Sequence, residues 1–89
     1  MMQIDTPEKI FVAYDSKECS PVCATTSMDE TIRRVINYLY ARDCACSGFS
    51  YFEDYTVIEY VETFRIGPQI NEQRGSIVIS DVKFFKSDE

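Results

Sequence analysis

The chain has 89 residues and a mass of 10.3 kDa, enough for one small domain that buries roughly 60% of the surface its unfolded form exposes. Hydrophobic residues make up 45% and charged residues 27% of the sequence, and this balance excludes wholesale disorder. The formal net charge of -6 argues against direct binding to nucleic acid and against attraction to an anionic membrane.

The two ends of the chain predict a short polar lead-in over residues 1–8 and a frayed carboxyl terminus over residues 86–89. The lead-in contains acidic residues and Pro7, where a signal peptide would carry a basic region and an apolar run. The longest apolar stretch, from Ile10 to Tyr14, is far shorter than the roughly 20 residues that a membrane span needs. We therefore expect one cytoplasmic domain over residues 1–89, with its thiols reduced.

The first predicted element is a strand from Lys9 to Tyr14. Both of its alternating faces are apolar, which is typical of a strand buried on both sides. A polar turn from Asp15 to Pro21 follows. The β-branched residues between Val22 and Thr26 then predict a short second strand.

A helix is predicted over about residues 28–43. Ser27 and Glu30 have the spacing of a capping box, in which each side chain bonds the backbone amide of the other residue. Apolar residues at i, i+3, i+4 and i+7 predict a stripe that faces the core, and they are Ile32, Val35, Ile36 and Leu39. The segment Cys44 to Gly48 is predicted to stop the helix.

The segment after the helix is rich in aromatic and β-branched residues and is too long for one ordinary strand. We divide it at Glu53 and Asp54 into a short strand, Phe49–Phe52, and a long strand, Tyr55–Ile66. A helix over residues 54–64 stays open as an alternative, because helical spacing also fits Val57, Val61 and Phe64.

A long polar turn, Gly67 to Gly75, and a last strand, Ser76 to Phe85, complete the predicted elements. Their order is β-(β)-α-β-β-β. Strands on both sides of one helix predict an α+β domain, in which the helix packs on one face of an antiparallel sheet of four or five strands.

The four cysteines form two close pairs, and the predicted topology brings both pairs to one end of the domain. The turn after the first strand and the carboxyl end of the helix both lie at that end. Four converging thiolates are a zinc site, and since the sequence has no His, all four would have to bind: Cys19, Cys23, Cys44 and Cys46. The alternative is that Cys23 and Cys44 are buried apolar residues and the other two are exposed free thiols.

The absence of His also removes the commonest general base and the usual nucleophile–base pairs. Glu59 and Glu62 are the remaining candidates, but three residues apart on a strand they face opposite sides of the sheet. The chain has three glycines and no glycine-rich phosphate loop. The sequence therefore predicts a protein that is not an enzyme.

A surface for binding another protein is predicted on the sheet. The sequence has six Tyr and six Phe, and Tyr anchors are common at protein–protein interfaces. A helix on one side leaves the second face of the sheet open. The tyrosines and carboxylates predicted to contact a partner with a basic surface are Tyr51, Glu53, Asp54, Tyr55, Glu59, Tyr60 and Glu62.

We interpret the chain as a non-enzymatic inhibitor that occupies a basic surface, such as a nucleic-acid channel, on a larger complex. In size, acidity and lack of catalytic groups it is similar to the small acidic inhibitors of phages and mobile elements, which include anti-CRISPR proteins and nucleic-acid mimics. That resemblance implies action in a host cytoplasm. The alternatives are an accessory module stabilised by zinc and an immunity or antitoxin protein, and a homodimer is compatible with each.

Overall fold

The computed structural model describes residues 8–84, and these form a five-stranded antiparallel sheet with one helix, which confirms the predicted α+β class. The predicted lead-in, apart from Glu8, and the predicted fraying of residues 86–89 lie outside the described residues. No helix in this part of the chain combines the length and the apolar character that crossing a membrane requires. The elements are β1 (Glu8–Asp15), β2 (Ser20–Thr25), α1 (Met28–Ala41), β3 (Cys44–Tyr51), β4 (Tyr55–Ile66) and β5 (Gln69–Phe84).

The strands lie in the order β2-β1-β5-β4-β3, with every neighbouring pair antiparallel. β1 and β2 form a hairpin, β3, β4 and β5 form a meander, and the pairing of β1 with β5 joins the two parts. Helix α1 connects the edge strands β2 and β3, so it crosses one face of the sheet from edge to edge.

Helix α1 begins directly after Ser27, whose hydroxyl accepts a hydrogen bond from the Glu30 amide at 3.3 Å. The reciprocal half of the predicted capping box does not form. The Ser27 amide donates instead to the Thr25 hydroxyl at 3.0 Å, and the Glu30 carboxylate binds Arg33 and Arg34. The N-cap prediction is therefore confirmed for Ser27 and wrong for Glu30.

The helix ends at Ala41, two residues before the predicted end, with Arg42 as the C-cap and Asp43 in the left-handed region at φ 58°. The predicted stop segment, Cys44 to Gly48, is the first part of β3. Its small residues have little strand preference of their own, and the pairing of Cys44 with Glu62 in β4 holds them in the sheet.

The core lies between α1 and one face of the sheet. The helix contributes Val35 and Leu39, together with Thr31, which is fully buried and bonds the Ser27 carbonyl. Ile36, expected in the apolar stripe, is 40% exposed, because the face centred on positions 31, 35 and 39 turns it away from the sheet. The sheet contributes Ala13, Ile58, Tyr60, Ile77 and Ile79.

The other face of the sheet, which we call the open face, is not covered by any described element. Its residues alternate with the core residues along the three middle strands. Cross-strand pairing sets Tyr14, Val78 and Val57 in one row across β1, β5 and β4. The open face is therefore largely apolar, and of the tyrosines and carboxylates that the sequence predicted for it, only Tyr55 and Glu59 lie there.

The strand alternative for residues 54–64 is the correct one, since β4 pairs with β5 through all of its residues from Tyr55 to Ile66. The predicted long polar turn, Gly67 to Gly75, is wrong. The turn is only Gly67 and Pro68, with Gly67 at φ 59°, and β5 begins at Gln69.

Beyond the main sheet, β4 and β5 continue as a two-stranded hairpin arm, residues 63–72. The last partner of β3 in β4 is Glu62, and the last partner of β1 in β5 is Ile77, so no other strand within residues 8–84 pairs with the arm on either side. The arm makes the molecule long, at 67 × 22 × 19 Å. Both of its faces meet solvent, which explains why its polar residues resembled a loop in the sequence.

Candidate functional site

The turn after β1 and the carboxyl end of α1 meet at one end of the domain, as the topology predicted. The side chains that meet there are charged and phenolic. Tyr38 donates a hydrogen bond to Asp15 at 2.6 Å, and Arg42 binds Glu18 at 2.9 Å. We call this group, with Tyr60, the Asp15 cluster.

Asp15 is the centre of the cluster and is fully buried. One carboxylate oxygen accepts from the Tyr38 hydroxyl, and the other accepts from the Tyr60 hydroxyl at 2.8 Å and from the amides of Lys17 at 3.0 Å and Glu18 at 3.2 Å. The guanidinium of Arg42 donates to the Tyr38 hydroxyl at 3.0 Å and lies over the tyrosine ring. The buried charge is therefore satisfied by direct hydrogen bonds.

These bonds change the acidity of the groups that make them. Burial alone would raise the pKa of Asp15, but the hydrogen bonds from Tyr38, Tyr60 and two backbone amides outweigh it and lower the pKa from the usual 3.8. Burial, together with the bond to Asp15, raises the pKa of Tyr38 to about 12 and also raises the pKa of Tyr60. At neutral pH the Asp15 side chain is thus a carboxylate, and the phenols of Tyr38 and Tyr60 that bond it are protonated.

A ring of opposite charges closes the cluster on its outer side. The Lys17 ammonium lies 2.8 Å from both Glu18 and Glu62, and Arg42 lies 3.9 Å from Glu62. The hydrogen bonds to Glu18 and Glu62 raise the pKa of Lys17. Every charge here has an opposite neighbour, so we assign the cluster a structural role, which is to join α1 to the ends of β1 and β4.

Tyr60 reaches Asp15 because its strand partner is a glycine. The Tyr60 ring lies directly over Gly75 in β5, and a Cβ atom at that position would stand 2.6 Å from the tyrosine hydroxyl. Any larger residue at position 75 would therefore push the ring away from the carboxylate.

The four cysteines do not converge in this structure. Cys23 lies in β2 and Cys44 in β3, the two opposite edges of the sheet, and both are half-buried. Cys19 and Cys46 are exposed, and their thiols lie near the carbonyls of Ser16 and Gly48 respectively. Among residues 8–84, no group of three or more His, Cys, Asp or Glu side chains is placed to hold a metal ion. Zinc binding stays a prediction with no preformed site in its support.

A second group of side chains, at the opposite end of the sheet, is exposed. We call it the acidic–aromatic turn, residues 49–55, which comprises the end of β3, the connecting residues 52–54 and the first residue of β4. Glu53 and Asp54 stand at its tip and face solvent. Four aromatic side chains surround them with exposed fractions from 39% to 70%, and they are Phe49, Tyr51, Phe52 and Tyr55.

The aromatic side chains of this turn pack on each other. Phe52 and Tyr55 stack with their ring centroids 4.8 Å apart, and Phe49 and Tyr51 lie 5.3 Å apart in a tilted arrangement. This packing fixes the rings in place while leaving their outer faces in water.

A small cavity of about 160 Å³ separates the acidic–aromatic turn from the start of β1 and of α1. Its charged lining residues include Glu53, Asp54 and Asp81, and Lys9, which also lines it, lies 3.4 Å from Asp81. Among the described residues that line this cavity, three carry carboxylates and one carries an ammonium, so its lining is acidic.

The predicted partner-binding residues thus divide into three sets. Tyr51, Glu53, Asp54 and Tyr55 come together in the exposed turn. Glu59 is exposed on the open face, beside a cavity of about 380 Å³ that Lys17 and Arg74 also line.

The remaining two predicted residues face the Asp15 cluster. Tyr60 is 1% exposed, and the Glu62 carboxylate is held by Lys17. Glu59 and Glu62 lie on opposite faces of the sheet, as expected, and do not form a pair.

Sequence reasoning missed Phe49 and Phe52, which it treated only as strand residues. The signal was a group of three aromatic residues, Phe49, Tyr51 and Phe52, directly before the two consecutive acids Glu53 and Asp54. It also missed the link between Asp15 and Tyr38. The signal was that Asp15 follows Phe11 and Ala13 at intervals of two residues. Residues at that spacing share one face of a strand, so the Asp15 carboxylate lies on the core side of β1.

Neither a protein-family model, nor a curated protein, nor a solved structure matches this chain.

Proposed function

We propose that this protein acts by binding another protein, and that the acidic–aromatic turn docks on a basic surface of that partner. The observation that carries the proposal is the exposure of Tyr51 at 70% and Phe52 at 53% beside the solvent-facing carboxylates of Glu53 and Asp54. Aromatic residues with rigid rings supply contact area at small entropic cost.

Charge supports a basic partner. The protein carries a net charge of -6, and the end that bears the turn adds Asp81 to Glu53 and Asp54 around one cavity. Opposite charges on two surfaces speed their encounter and reject partners of the wrong sign. A protein that binds nucleic acid has such a basic surface, and occupying it would inhibit that protein by competition.

The aromatic residues and the carboxylates have different roles in this proposal. Tyr51 and Phe52 are the anchors, which enter apolar recesses on the partner and control how long the complex lasts. Glu53 and Asp54 form the rim, which controls how fast the complex forms. The proposed activity is non-covalent binding alone, and no covalent bond is made or broken.

The test begins with a pull-down from the native host, using the immobilised full-length protein, and continues with association and dissociation rates for the partner identified. We expect Glu53→Lys with Asp54→Lys to slow association by about tenfold, and added salt to reduce the difference. We expect Tyr51→Ala to speed dissociation by at least about 30-fold, the equivalent of about 2 kcal/mol for an anchor.

Three variants serve as controls. Glu72→Lys makes a charge change of the same sign on the hairpin arm. Arg33→Glu with Arg34→Glu changes the charge on the exposed side of α1. Tyr40→Ala removes an aromatic side chain on α1 that is 82% exposed. All three should bind nearly as the wild type does. If the helix variants abolish binding and the turn variants leave both rates unchanged, the partner binds α1 and the proposal is wrong.

A further inference from the structure

The open face is more apolar than the exposed side of an antiparallel sheet usually is. Such a sheet normally alternates apolar residues toward the core with polar residues toward water. Here β1, β4 and β5 carry apolar residues on both faces. Six of these on the open face are Ile10, Val12, Tyr14, Val57, Val61 and Val78.

We propose that the open face is the interface of a homodimer, in which a second copy of this chain packs its own open face against the first. Two sheets stacked about 10 Å apart, with their strands within about 30° of each other, form a sandwich whose inner side chains make a common core. In that arrangement β1, β4 and β5 are buried on both faces, which matches the apolar residues that they carry on both faces.

The size of the face fits a dimer. Five strands spaced about 4.8 Å apart and about seven residues long give a projected area of about 550 Å². A specific interface buries about 800 Å² of accessible surface on each partner, and the accessible surface of a corrugated face exceeds its projection. One sheet face of each copy is therefore enough without contributions from the arm or the turn.

The charge of the face also fits a second copy, although each copy carries -6 overall. The row that includes Glu59 pairs it with Ser76 of β5, and the next row pairs Val61 with Arg74. A two-fold axis that lies in the interface, parallel to these rows and midway between them, places Glu59 of one copy over Val61 of the other, diagonally next to that copy's Arg74. Among the described side chains, each acid of the face then lies next to a base of the other copy, and like charges are not directly opposed.

This dimer leaves most of the proposed partner-binding turn free. Tyr55 lies on the open face, in one row with Ser80 and Val12, and a second copy would cover it. Tyr51 pairs with Thr56 on the helix side, and Glu53 and Asp54 stand at one end of the sheet, so these three remain exposed when two copies stack. A dimer would present two such turns.

The experiment measures the solution mass of the full chain by sedimentation equilibrium at about 100 µM, which exceeds the micromolar upper end of the dissociation constants of standard-size interfaces. We expect about 20.6 kDa for the wild type, twice the 10.3 kDa of one chain. Val57→Glu and Tyr14→Glu place a carboxylate on the open face and should each give 10.3 kDa. Ile36→Glu, which adds the same charge on the outer side of α1, should leave the dimer intact.

Thermal unfolding at several concentrations gives a second readout that needs no variant. The midpoint of a dimer rises with protein concentration, because association stabilises the folded state by mass action. A wild type that sediments at 10.3 kDa with a midpoint independent of concentration overturns the proposal. That result would mean that a different protein or another part of the chain covers the open face. A Val57→Glu protein that folds and remains dimeric also overturns it.

Discussion

Asp15 shows how one residue can join two parts of a small domain. It ends the core-facing side of β1 and receives hydrogen bonds from Tyr38 on α1 and Tyr60 on β4. A buried carboxylate without such partners would be strongly unfavourable, so the two tyrosines and the carboxylate depend on each other.

We expect Asp15→Asn to lower the free energy of unfolding by about 2 kcal/mol at neutral pH, because hydrogen bonds to a charged group become bonds to a neutral one. The measurement is urea unfolding of both proteins, with Asp29→Asn on the exposed start of α1 as the matched control. A loss no larger than that of the control would mean that the Asp15 cluster contributes little.

The same residue makes stability depend on pH with a definite sign. The pKa of Asp15 is lower in the folded protein than in the unfolded chain, so the unfolded chain binds the proton more readily. The stabilisation is therefore complete above about pH 4 and is lost as the pH falls through the folded-state value. In an acid titration of the unfolding free energy, Asp15→Asn should show a shallower slope below pH 4 than the wild type. Equal slopes would contradict this account.

At the scale of elements, α1 depends on a local start signal. Ser27→Ala removes the acceptor of the Glu30 amide and should cost about 1 kcal/mol of stability, the usual loss for an N-cap. Thr25 and Thr31 also bond the backbone around Ser27, so the helix should begin at the same place. A denaturant midpoint unchanged within error would show that these threonines hold the helix start without Ser27.

The sequence predicted elements well where a local signal and a buried face agree. The N-cap of α1, the division at Glu53 and Asp54, and the long strand β4 all combine turn or cap chemistry with apolar periodicity. The returning strand of the arm, from Gln69, was missed because a two-stranded ribbon in water needs no apolar pattern, and its pairing with β4 across Gly67 and Pro68 supplies the order. The extent of β3 was missed because pairing with β4 overrides the weak preferences of its small residues.

At the scale of the whole molecule, the position of the cysteines follows from the order of the strands in the sheet. No local pattern in the sequence indicates that order. The prediction correctly brought the turn after β1 to the end of α1. It could not show that β2 and β3 become opposite edges, because the insertion of β1, β5 and β4 between them depends on pairing across the full chain. For the same reason Tyr60, which looked like part of a binding surface, belongs to the core.

This placement leads us to expect a metal-free protein. Chelator should leave the thermal midpoint unchanged, and all four thiols should react with a thiol reagent. Cys19 and Cys46, which are exposed, should react first. Burial raises the pKa of Cys23 and of Cys44, so these two should react more slowly. A midpoint that falls on chelation, with one zinc per chain in the purified protein, would restore the zinc-stabilised module as the better reading.

The central place of β5 has a consequence for how the protein is made. The ribosome supplies β5 after every other described strand, yet both halves of the sheet attach to it. Until it arrives, the β1–β2 hairpin and the β3–β4 hairpin can form but cannot join, and each exposes an unpaired strand edge. The pairing of Tyr14 with Val78 closes a loop that spans most of the chain, and such distant contacts form slowly. During synthesis, therefore, both hairpins expose an unpaired strand edge until β5 is made and pairs with them. Misassembly or dependence on chaperones would arise during that period.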